Sequence, residues 1–154
     1  MLLLEAIIKG LNIKESNNFE LKVDSELNYD DDKLQTINIF INFCIKEMDI
    51  KSNFSCNLVF NKEKNHITTT AYFNPTNKSI FVYAKNRMLG DVLRSFAHEL
   101  KHLSQLENEE LKFPVQDVGG DIENGANAVA GELIKTFIKN DKLGEKLFEQ
   151  KKRF

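Results

Sequence analysis

The stretch that most limits how this chain can fold runs from Asp91 to Leu106. Leu93, Phe96, Ala97, Leu100 and Leu103 recur at three- and four-residue steps. On a helix of 3.6 residues per turn that spacing makes one continuous apolar stripe. Asp91, Arg94 or Ser95, His98, His102 and Gln105 recur at the same period and form a polar face. A helix divided in this way presses its stripe on a second layer and turns its polar face toward a cleft. The rest of the chain therefore has to supply a sheet or further helices to receive it.

With 154 residues, 42% of them hydrophobic, there is material for one domain over 1–154 with a real core. Leu34 to Met48 is expected as a packing helix, with Leu34, Ile37, Phe40, Ile41, Cys44, Ile45 and Met48 in helical steps and Asp30, Asp31 and Asp32 at its start. Phe19 to Asp24 alternates apolar and polar and reads as a half-exposed strand. Three further strands are expected as a β-meander. These are Cys56 to Phe60, Ile67 to Phe73 and Ser79 to Ala84, separated by polar turns at 61–65 and 74–78. The third is apolar on both faces and is expected to be well covered. Phe113-Pro114 and Gly119-Gly120 break the chain, Asp121 resembles an N-cap, and a last helix runs from Ile122 to about Lys139. Its expected buried stripe is Ile122, Ala126, Val129, Leu133 and Phe137, with Gly125 and Gly131 allowing close packing. Asp141 to Phe154 reads as a short amphipathic tail. The fold class is thus α+β: an N-terminal packing helix, a small mixed or antiparallel sheet of about three or four strands, the histidine-bearing helix and a C-terminal helix.

Some functions are excluded by composition. A net charge of -2 gives no sign of nucleic-acid or anionic-membrane binding. Met1 to Gly10 is apolar but short, Glu5 interrupts it, and neither a basic segment nor a cleavage site flanks it. A signal peptide and a membrane span are therefore not expected, and a cytoplasmic location is. Cys44 and Cys56 lack metal-ligand spacing and are expected as reduced core residues.

Chemistry concentrates in His98-Glu99-x-x-His102. Residues four apart stand one turn above each other, so two imidazoles can hold one Zn²⁺. A spacing of two would set them on opposite sides of the helix. The carboxylate of Glu99, next to the first histidine, can take a proton from a water at the metal and later return it, which makes it the candidate catalytic residue. Two histidines do not complete a catalytic zinc site, which takes three protein ligands. Glu123, 21 residues after His102 and set among small residues, is chosen as the third, with Asp121 and Glu132 as weaker candidates. Asn127, one turn on, is placed to accept a hydrogen bond from a ligating imidazole.

His98-Glu99-x-x-His102 followed by Glu123-x-x-Ala126-Asn127-x-x-Ala130 resembles the gluzincin class of zincin metallopeptidases. It is particularly similar to the ImmA/IrrE-like peptidases and to small stand-alone zincin-like proteins of tailed bacteriophages. The resemblance spans Ile80 to about Leu133. It implies one zinc held by the two histidines and the later glutamate, with Glu99 as general base. It also implies a mixed sheet whose edge strand lies along the cleft above the metal helix, for which Ser79 to Ala84 is the candidate. If the chain is viral, its location is the host cytoplasm. Many gluzincins carry a downstream His or Tyr that stabilises the tetrahedral oxyanion, and after Glu123 this chain has neither. Tyr83, Arg94, Tyr72 and His66 are the substitutes, and Arg94 can equally pair with Asp91. Loss of such a donor lowers activity by a factor of about a hundred or more.

Two functions follow. The first is a zinc-dependent peptidase acting on a peptide or protein, with specificity for one partner protein or dependence on one. The alternative is a zinc-binding protein of the same fold without proteolytic activity, serving as a binding, assembly or regulatory module.

Overall fold

Asp30 caps the first α-helix among the described residues, its Oδ1 accepting from the Lys33 N–H at 2.8 Å, while Asp31 and Asp32 bring negative charge to the first turn. This helix, α1 (Asp31–Met48), buries Leu34, Ile37, Phe40, Ile41, Cys44 and Ile45, as its periodicity suggests. It ends where Asp49 takes a left-handed φ of 54° and the Ile50 N–H turns back to donate to Ile45 O at 3.0 Å. The structure, a computed structural model, describes residues 19–61, 70–109 and 121–140, the last with side chains from 124 to 139. Met1 to Gly10, the turn at 62–65, His66 to Thr69, Phe113-Pro114, Gly119-Gly120 and the tail from Asp141 lie outside the described residues.

The strands are β1 (Phe19–Val23), β2 (Phe54–Val59), β3 (Ala71–Asn74) and β4 (Ser79–Tyr83), in one sheet of order β1-β2-β4-β3. β1 and β4 both run parallel to β2, and only β3 is antiparallel, paired with β4. The sheet is mixed, and the expected meander is corrected. The second strand does not pair with the first but passes beyond the third to the edge. Burial gives the reason. Ile80 and Val82 are wholly buried and take neighbours on both flanks, whereas all four residues of β3 are half-buried and suit an edge. The candidate edge strand is corrected with it: Ser79 to Ala84 is interior, and among the described strands β3 and β1 hold the two edges. The turn between them is as expected, with Asn74 Oδ1 accepting from the Thr76 N–H at 3.0 Å and Lys78 at φ 52°.

Register divides the sheet into two faces. Leu21, Cys56, Ile80 and Phe73 form one row, and Val23, Leu58, Val82 and Ala71 the next, all in or against the hydrophobic core. The opposite face carries Lys22, Asn57, Phe81 and Tyr72, with Tyr83 beside Val59. Helix α2 (Leu89–Glu107) packs on β3 and β4 and also against α1 and α3 (Asp121–Asn140). Leu93, Phe96, Ala97, Leu100 and Leu103 are all fully buried, so the stripe lies where the period put it.

Helix α3 closes the core with Phe137 edge-on to Phe40, ring centroids 5.1 Å apart. Its buried stripe is Ala126, Ala130, Leu133, Ile134 and Phe137, while Val129 is only half-buried, a rotation of the expected stripe toward Ala130 and Ile134. Asp121, read as an N-cap, stands at the start of the described part of α3, and its side chain lies outside the described residues. Gly131 is not at a close contact: a Cβ built there meets nothing within 4 Å. Cys44 and Cys56 are free and buried, and burial pushes both thiols up, so they stay neutral core groups. Among the described residues no helix is long and apolar enough to cross a membrane.

Candidate metal site

The helix that carries His98 and His102 is pinned at both ends. Before its first turn, Arg87 donates to Tyr83 O at 2.8 Å, Asp91 O at 3.0 Å and Ser95 Oγ at 2.8 Å. This one guanidinium ties the end of β4 to two turns of α2. At the far end, Glu107 accepts from the Lys51 N–H at 3.1 and 3.2 Å and from the Ser52 N–H at 2.8 Å. Lys78 Nζ donates to Ser52 Oγ at 3.0 Å, closing the corner. Burial pushes the Glu107 carboxyl up. The Ser52 and Lys51 hydrogen bonds and the Lys78 charge outweigh it and hold the group below its ordinary value.

Between these clamps the two imidazoles face each other across one turn. His98 Nε2 and His102 Nε2 are 3.2 Å apart, with ring centroids 4.8 Å apart and planes at 81°. Two Zn–N bonds of about 2.0–2.1 Å at a tetrahedral angle leave their nitrogens about 3.3 Å apart. The pair therefore fits the bite of a zinc ion. His98 is half-buried and His102 only 7% exposed, so the polar face of α2 is largely covered and opens on the His98 side. Glu99 is also buried, at 7% exposure, and as the next residue projects about 100° around the helix from His98.

Glu123 and Asp121 belong to the first turn of α3, and their side chains lie outside the described residues, as does His66. Among the described residues no group of three or more His, Cys, Asp and Glu side chains is placed to hold a metal ion. Asn127 and Glu132 are exposed on α3, and no hydrogen bond from Asn127 to either imidazole is among the described contacts. Arg94 is exposed, one turn before His98, and no ion pair with Asp91 is among the described contacts. Tyr83 and Tyr72 alternate onto the sheet face away from the core, where Tyr72 stacks on Phe81 at 4.9 Å. The structure thus brings the His98 and His102 rings together, buries Glu99 on the same helix, and sets Tyr83 and Tyr72 on the other face of the sheet.

What spacing alone did not assign is the work of Gln105. Its Oε1 lies 2.8 Å from His102 Nδ1, and both side chains are buried. Helix α3 backs the same amide, since a Cβ at Gly125 would stand 3.6 Å from Gln105 Nε2, an ordinary contact. The available signal was the three-residue step from His102 along the polar face. No protein-family model, no curated protein and no solved structure matches this chain.

Proposed function

We propose that this protein is a zinc-dependent peptidase of zincin-like architecture, with His98, His102 and Glu123 holding one zinc ion and Glu99 as the general base. The observation that carries the reading is the pair of Nε2 atoms 3.2 Å apart on adjacent turns of one helix, which also buries Glu99. Zinc bound there supplies a Lewis acid that acidifies water and polarises a carbonyl. The chain's own residues do the rest. Glu99 accepts the proton of the attacking water and delivers it to the departing amine. The edge strand β3, under which α2 packs, suits an extended peptide that adds backbone hydrogen bonds to the sheet. So small a framework has few walls for a deep specificity pocket, which favours one partner protein as substrate over general digestion.

The experiment is metal analysis of the purified chain and of His98→Ala and His102→Ala. About one zinc per chain in the parent and a sharp fall in either variant is the expected result. Full zinc retention in both variants removes the site. One observation favours the alternative, a zinc-binding module without proteolysis: Tyr83 and Tyr72 lie on the other face of the sheet, and Arg94 is exposed. Under that reading a fourth protein ligand closes the metal, whereas catalysis needs an open position.

A further inference from the structure

We infer that Gln105 is the positioning residue of this site, holding His102 in its Nδ1–H tautomer so that the Nε2 lone pair points toward His98. The use made of that lone pair rests on the zinc reading, while the contact itself does not. A carbonyl oxygen can only accept, so the 2.8 Å approach of Gln105 Oε1 requires the hydrogen on His102 Nδ1. A neutral imidazole carries one N–H, and Nε2 is then the acceptor, aimed at His98 Nε2 across 3.2 Å. His102 is 7% and Gln105 4% exposed, so water competes little for the bond, and breaking it costs a buried hydrogen bond.

The amide has little freedom to leave. Gln105 follows His102 by three residues on the same helix, and α3 stands behind it at Gly125. Asn127 is exposed and makes no described contact with either ring. An amide also differs from the carboxylates that commonly orient ligating imidazoles. It fixes the ring without placing a further negative charge beside it.

The test uses the full chain, metal-free and ¹⁵N-labelled, at a pH where both imidazoles are neutral. Long-range ¹H–¹⁵N correlation reads the His102 tautomer directly. Nδ1–H is expected in the parent, its loss in Gln105→Met, and its return in Gln105→Glu, which keeps an acceptor at that reach. Zinc affinity, read by competition with a chromogenic chelator, should fall about ten- to a hundredfold in Gln105→Met. If Gln105→Met does not fold, Gln105→Asn, one methylene too short, takes its place with the same readings. An Nε2–H tautomer in the parent, or a tautomer unchanged by the substitution, overturns the inference whatever zinc does. A parent that binds no zinc but shows the Gln105-dependent tautomer ends the peptidase reading and leaves this one standing.

Discussion

Glu107→Ala removes the carboxylate that fastens the C-terminal end of α2 to the loop before β2. Two backbone donors lose their acceptor, Lys51 N–H at 3.1 and 3.2 Å and Ser52 N–H at 2.8 Å. A buried hydrogen bond to a charged group contributes about 1.5–3 kcal/mol. Here Lys51 is exposed and Ser52 half-buried, so water takes over much of that, and the range for exposed charged contacts, about 0.2–1 kcal/mol each, is the better guide. The expected loss is therefore about 1 kcal/mol at neutral pH, or about 2–4 °C in Tm for a chain of this size. The sign with pH follows from the carboxyl being held below its ordinary value in the folded chain. Its contribution is complete above the unfolded pKa and is lost as pH falls through the lowered folded pKa. Urea unfolding of parent and variant, followed by circular dichroism from neutral pH into acid, should show the gap in stability closing. A gap below about 0.3 kcal/mol at neutral pH, or one that stays constant into acid, would refute the reasoning.

Glu99→Gln keeps the size of the side chain and a hydrogen-bonding group but removes its basicity. The variant should fold, retain zinc and lose at least about a hundredfold in hydrolytic rate on a substrate found by cleavage profiling, and equal rates would sink the peptidase mechanism. Gly131→Ala places a methyl where nothing lies within 4 Å, in the interior of α3. It should raise stability by about 0.5–1 kcal/mol in chemical unfolding, and a destabilised variant would show that the helix needs the glycine for another reason.

Local rules carried the parts of this fold that depend on local spacing. The stripe of α2 and the acidic start of α1 both lie where period and charge put them. Strand order was not legible, because pairing is a choice among partners and Cys56 pairs equally well on paper with either later strand. What decided it is the burial of Ile80 and Val82 against the half-exposure of β3, a property of the assembled layers. On α3 the expected Ala126, Leu133 and Phe137 are buried, and only Val129 gives way, to Ala130 and Ile134. Val129 and Ala130 are both apolar, so period alone does not choose between them, and the assembled core buries Ala130 while Val129 is packed against it. The clamp from Glu107 to Lys51 and Ser52 joins positions 55 and 56 residues apart, and nothing local to either end announces it.

The candidate site shows the same division at closer range. His98 and His102 were readable because four residues on a helix fix a distance between side chains with no help from the rest of the molecule. Fixing their orientation is a different problem, since an imidazole can rotate about its χ angles through arrangements that keep the spacing and lose the bite. The structure limits that freedom with Gln105, which belongs to the same helix and whose amide lies near Gly125 of α3. The geometry of the pair therefore depends on how α3 seats against α2, the helix that also carries Glu123. Anything that shifts α3 displaces the backing of Gln105 and the position of Glu123 together. A metal that needs all three groups would in turn hold the two helices in register, so binding there should stabilise the α2–α3 packing as well as the site.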